Sequence, residues 1–260
     1  MKNKRLAVIL IILIFFAVFV VLSSTIFSLK HVQLKFLEDA DRLAGQEESI
    51  VQTVKFRYKE SIFFSNKSAY IKALEKNNPY LKVINIETKF PNKLVINAVE
   101  RKECYVIKVS STQYVAVDED MKVLEVRDNN ETPDKGIQIL NSDLVSQNVE
   151  VGDFYQTSND YYKVLFTSFR EWIDSYSEIK TKVKSIQLNY NKADQLLINM
   201  QSGVKILIQK SSNQMSEKIN YAFSIYDTTE IDGNSVDYTQ NGTILIYETQ
   251  TEIKGSYLAS

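Results

Sequence analysis

One histidine, His31, and one cysteine, Cys104, serve the whole 260-residue chain, and that scarcity bounds the chemistry it can do. A structural zinc site draws on about four nitrogen and sulfur donors, and a thiol nucleophile needs a histidine poised beside it, so neither is within reach of one residue of each kind. A single cysteine also forms no internal disulfide and reads as a small buried hydrophobe. His31, just beyond a long apolar run, reads as an interfacial or solvated side chain. The densest acidic cluster is Asp118-Glu119-Asp120. Three consecutive carboxylates on a turn point in different directions, so the cluster reads as a solvated turn and not as a cation site. No glycine-rich phosphate loop or nucleophile motif is present. Catalytic residues, cofactor and metal are therefore all assigned as none, and the chain is expected to bind rather than to catalyse.

Composition points the same way. Hydrophobic residues make up 44% and charged residues 24%, ordinary for a chain with a core and unlike a disordered one. The net charge is −1, and more acidic still beyond Arg5, which argues against nucleic acid as a partner.

An uninterrupted apolar run extends from Leu6 to Leu22, and Ser23 to Phe27 lengthens it to about twenty-two residues, roughly 33 Å of helix. Secretory signal cores are shorter, about 7 to 15 residues, so residues 6–27 are expected to remain as a transmembrane helix in contact with lipid. Lys2, Lys4 and Arg5 before the run, against Glu38, Asp39 and Asp41 after it, place residues 1–5 in the cytoplasm and the bulk of the chain outside.

Beyond the run, Val32, Leu34 and Phe36 alternate as a first strand. Ile50, Val51 and Val54 share a face of a helix over Glu47 to Val54. Phe56 to Phe64 ends apolar, and the cluster Ser65-Asn66-Lys67-Ser68 is positioned to cap a helix that Pro79 must stop at Asn77 or Asn78. Two strands follow, one with Ile84 and Ile86 on a common face and one over Leu94 to Val99, joined at Phe90-Pro91-Asn92-Lys93. The order is strand, helix, helix, strand, strand.

The stretch Asn77-Asn78-Pro79-Tyr80-Leu81 through Phe90-Pro91-Asn92 to Glu100-Arg101 resembles the helix end, hairpin and exit of the POTRA domain in the bacterial cell-division proteins FtsQ and DivIB. Those proteins carry an Asn-Pro with two hydrophobics, a Phe-Pro-Asn or Leu-Pro-Asn, and a Glu-Arg at this spacing. The resemblance implies a POTRA domain over 28–101 and a β domain over 102–248, followed by a polar tail, 249–260. Lys59-Glu60 stands where the family often has glycine.

In the second part, Lys102 to Val109 reads as a strand. Gln113 to Val126 reads as a hairpin resembling the family's first β-domain hairpin, with Met121 in place of its usual glycine. Pro133 and Gly136 mark a loop. Leu165, Phe169, Trp172 and Tyr176 form one stripe of a helix over about 159–176. Strands are expected at Val183 to Leu188, Gln195 to Met200, Val204 to Ile208 and Thr243 to Tyr247, with a helix over Ser216 to Tyr226. The fold class is α+β: a transmembrane helix, a β-α-α-β-β POTRA domain, and a mixed sheet with covering helices.

The last expected strand is apolar on both faces: either it inserts between earlier strands beneath the domain's helices, or it is an open edge, which is a hazard unless something covers it. The family resemblance implies that a partner adds there as a strand, making Tyr238, Thr239, Gln240, Thr243, Ile244, Leu245, Ile246 and Tyr247 the partner-binding residues. It further implies a non-enzymatic septal scaffold. Its partners would be small single-span coiled-coil proteins, FtsB- or DivIC-like and FtsL-like, together with the septal peptidoglycan synthase complex. A POTRA-bearing transport or assembly factor and an envelope enzyme or its regulator are the alternative readings.

Overall fold

A computed structural model of the chain describes residues 2–110, 112–128, 137–140, 149–155, 160–175, 182–188, 193–227, 230–231, 234–235 and 242–259. The chain forms two compact units, Met1–Arg101 and Lys102–Ser260, and the fold is α+β.

The first unit opens with α1, Lys2–Thr25. Its described side chains run from Ile9 to Val21 and are all exposed. Among the described residues no helix is long and apolar enough to cross a membrane.

Next come β1 (His31–Phe36), α2 (Glu47–Gln52), a 3-10 turn over Ile62–Phe64, α3 (Lys67–Asn77), β2 (Leu81–Lys89) and β3 (Lys93–Glu100). The sheet order is β1-β3-β2, with β1 parallel and β2 antiparallel to β3. This is a POTRA-like arrangement. The caps follow the sequence: the Asn66 side chain accepts the Ala69 N–H at 3.1 Å, and Asn78 closes α3. Helix α2 stops earlier than expected: its last turn tightens to three-residue bonds, Thr53 N–H donating to the Ile50 carbonyl at 3.1 Å and Val54 N–H to the Val51 carbonyl at 3.3 Å. A second difference lies in β2, where the register shifts between Val83 and Asn85. This bulge inserts one residue and turns Ile84 outward, 49% exposed, while Val83 and Ile86 point into the core. Leu74, Leu81, Leu94 and Ile96 are fully buried between the helices and the sheet. The β2–β3 turn crosses a cis Phe90–Pro91 peptide.

The second unit is built on a mixed sheet. Its strands are β4 (Tyr105–Lys108), β5 (Gln113–Val117), β6 (Val123–Asp128), β7 (Ile137–Leu140), β8 (Val183–Leu188), β9 (Gln195–Met200), β10 (Lys205–Gln209), β13 (Gly242–Glu248) and β14 (Ile253–Ala259). They lie in the order β14-β13-β10-β9-β8-β7-β4-β5-β6. The short strands β11 (Glu230–Ile231) and β12 (Asn234–Ser235) pair separately.

Parallel neighbours need a crossover, and two helices supply it. Helix α4 (Asp160–Ser175) lies between the parallel strands β7 and β8, and α5 (Met215–Tyr226) between β10 and β13. The two helices pack on each other, with the Ser168 and Ser216 hydroxyls 2.7 Å apart. Leu165 and Phe169 of the α4 stripe are fully buried, as are Ile219 and Ala222 of α5. The Trp172 side chain and Tyr176 lie outside the described residues, as does the loop marked by Pro133 and Gly136.

Two elements depart from the sequence expectation. β7 takes a central position although Ile137–Leu140 is too short to show periodicity. The segment expected as a polar tail is β14, paired with β13 from Gly242↔Ala259 to Glu248↔Ile253. Two glycines let it fit. A β-carbon on Gly255 would clash with the Ile225 side chain on α5, and one on Gly242 with the Tyr257 ring and its hydroxyl. Helix and ring therefore lie directly on the backbone.

Candidate functional site

The residues singled out for chemistry do not converge. His31 is exposed at the start of β1, and Cys104 is fully buried in the core of the second unit. The Asp118 carboxylate is itself buried, and its Oδ1 accepts the N–H groups of Asp120 at 3.0 Å and Lys122 at 2.8 Å. Its role is to hold a turn. Among the described residues no group of three or more His, Cys, Asp or Glu side chains could hold a metal ion.

Glu100, Arg42 and Arg101 of the first unit act as clasps. The Glu100 carboxylate accepts from the N–H groups of Arg42 (2.8 Å) and Leu43 (3.0 Å), fixing the loop before α2. The Arg42 guanidinium lies 3.9 Å over the Tyr80 ring. Arg101 is buried; its Nε donates to the Leu81 carbonyl at 3.2 Å and its Nη2 lies 3.4 Å from Glu75 Oε2. The other oxygen of Glu75 accepts the Val83 N–H at 2.8 Å. Arg101 thus ties the end of β3 to α3 and to the first turn of β2.

The end of the large sheet formed by β10, β13 and β14 is where the expected partner-binding residues fall. Tyr238, Thr239 and Gln240 lie outside the described residues. Thr243, Ile244, Leu245, Ile246 and Tyr247 are all on β13, but β13 is not an edge. It pairs in parallel with β10 on one side and antiparallel with β14 on the other, so its backbone donors and acceptors face strands of this same chain. Ile244 and Ile246 are fully buried beneath α5, while Leu245 and Tyr247 are half-buried on the other face. The expectation of an exposed β13 is corrected by β14, which takes the end position.

The hairpin between the two strands is held by Thr249, whose N–H and hydroxyl both donate to the Glu252 carbonyl, at 2.9 and 3.0 Å. Among the described residues β14 pairs only with β13, and β11 comes beside it without pairing. Leu258 on β14 is 56% exposed. The alternation of Ile253 and Tyr257 with Lys254 and Leu258 could have revealed this strand, but Gly255, Ser256 and Lys254 dilute the signal.

At the start of the same hairpin, Glu248 anchors α5. Asn213 Nδ2 donates to both its oxygens, at 3.0 and 2.8 Å, and the fully buried Lys218 ammonium lies 3.4 Å away while donating to the Lys210 carbonyl at 2.8 Å. The Asn213 hydrogen bonds, reinforced by Lys218, hold the Glu248 carboxyl below its ordinary range.

Comparison with known proteins agrees with this architecture. Residues 45–101 match the family described as POTRA domain, FtsQ-type. The chain is 25% identical over 218 residues to a protein named cell division protein DivIB from Clostridium tetani (strain Massachusetts / E88), covering 78% of each. An aligned length of that size takes in both compact units. The chain is therefore a POTRA-domain-containing protein related to the DivIB/FtsQ family of bacterial cell-division proteins.

Proposed function

We propose that the protein is a membrane-anchored, non-enzymatic scaffold of the bacterial division septum, holding small single-span coiled-coil proteins of the FtsB/DivIC and FtsL kinds near the septal peptidoglycan synthase. The observation that carries this reading is the similarity to a DivIB over 78% of both chains, reached with no convergent catalytic or metal-binding group among the described residues. The exposed, uniformly apolar face of α1 from Ile9 to Val21 supports an anchor. A helix apolar all round needs either a protein core or lipid, and these side chains have no core around them. With Lys2, Lys4 and Arg5 leading, that anchor puts the N-terminus in the cytoplasm and both folded units outside.

The partner is received at the end of the large sheet. Since β13 is covered, strand addition takes place on β14, and Thr243 to Tyr247 act one strand behind it by holding β14 in register. Replacing the exposed Leu258 by glutamate tests this, because it touches little of the core. Leu258→Glu should leave the circular dichroism spectrum unchanged and abolish co-purification of the coiled-coil partner. Undiminished co-purification with the folded variant would move the site off β14.

A further inference from the structure

The first unit has no stalk. α1 ends at Thr25, and by Phe27 the backbone is already bonded into the domain: the Phe27 carbonyl accepts the Ile62 N–H at 2.8 Å. Leu29 exchanges bonds with Glu60 and Lys59 at 2.8 and 3.1 Å, Ser28 bridges Ser61, and the N–H groups of Lys30 and His31 donate to the Asn92 carbonyl at 2.9 and 3.3 Å. Only Ile26 separates helix from domain, a link of about 7 Å even if fully extended. The two segments stapled to this exit, 59–64 and 90–92, carry a cluster of phenylalanines that the core does not use.

Phe63 is 45% exposed, Phe64 73% and Phe90 65%. The ring centroids of Phe63 and Phe90 are 5.6 Å apart, those of Phe27 and Phe63 5.3 Å, and those of Phe19 on α1 and Phe63 6.1 Å. The patch is thus continuous with the apolar surface of α1. Its charged surroundings are largely basic. Lys30 at the exit and Lys59 on a stapled segment are exposed, and the nearby Glu60 is engaged by Arg57 at 3.2 Å.

We propose that Phe63, Phe64 and Phe90 form a lipid-docking face that seats the first unit on an anionic bilayer surface, the rings among the acyl-chain ends and Lys30 and Lys59 at the headgroup phosphates. The proposal rests on the reading of α1 as a membrane span, since only then does the missing stalk bring the patch to the interface. It makes the domain a fixed platform on the membrane, with its orientation set by the rings.

Spin labelling of the full chain tests it, because buried Cys104 leaves an introduced surface cysteine as the reactive thiol. Ile14→Cys, Glu48→Cys, Phe64→Cys and Phe90→Cys are each labelled with a nitroxide and reconstituted into vesicles of phosphatidylcholine and phosphatidylglycerol. Relaxation by oxygen and by a water-soluble nickel chelate is then measured. The labels at 64 and 90 should lose nickel accessibility and gain oxygen accessibility, as the label at 14 does, while the label at 48 stays open to nickel. If 14 is shielded but 64 and 90 are as open to nickel as 48, docking is overturned and the span stands. If 14 is itself open to nickel, the span reading fails and this proposal with it. Spin–spin broadening at 64 would assign the patch to a second copy of the chain and overturn lipid docking as well.

Discussion

Arg101 illustrates how a short motif can be structural rather than chemical. Its side chain is 4% exposed and that of its partner Glu75 15%, so removing one charge strands the other in a place water hardly reaches. Arg101→Ala should destabilise the first unit by about 3 kcal/mol in denaturant titration, whereas Arg101→Met combined with Glu75→Leu should recover most of that loss. Lys59 and Met121 make the opposite point. Both adopt positive φ, 76° and 63°, a backbone conformation that glycine takes at the least steric cost. Lys59 is exposed, and Lys59→Gly should therefore stabilise the protein by about 1 kcal/mol; Met121 also packs on the core, so glycine there should gain less. For Glu248 the sign follows from its lowered pKa. The stability it contributes is fully present above the ordinary glutamate value of about 4.3 and is lost as pH falls through the lower folded value. The stability difference between wild type and Glu248→Gln should hold at neutral pH and shrink in strong acid, as measured by urea titration at several pH values.

At the scale of elements, the pair β13 and β14 decides which substitutions the protein tolerates. Ile244 lies in the core under α5 with no exposure. Ile244→Lys buries an ammonium in the apolar core, a cost of several kcal/mol, and should unfold the second unit rather than act on a surface. Deleting residues 249–260 should also destabilise that unit and promote aggregation on light scattering, because it strips β14 from the apolar edge of β13. The longer helices and the β2–β3 hairpin were legible in the sequence because stripes such as Leu165 and Phe169, or the caps at Asn66 and Asn78, are local signals. The bulge that turns Ile84 outward, the four-residue β7 and the glycine-bearing β14 were not. Each is set by what packs against it from elsewhere in the chain: β3 for the bulge, β4 and β8 for β7, Ile225 of α5 for β14. Thr243 to Tyr247 were legible as a strand, but which strand stands outermost at that end of the sheet depends on long-range pairing that alternation alone does not report.

For the whole molecule, the proposed role is that of a scaffold, in which α1 serves as an anchor and the POTRA-like and mixed-sheet units hold other proteins in place. Such a protein needs no catalytic group. It does need to be where division happens, and its role is inseparable from that location. The most direct measurement is therefore the position of a functional fluorescent fusion to the full chain in dividing cells of its own bacterium. The account predicts a band at midcell that appears with the septum and disappears after separation. An even signal around the cell periphery throughout the division cycle would contradict it.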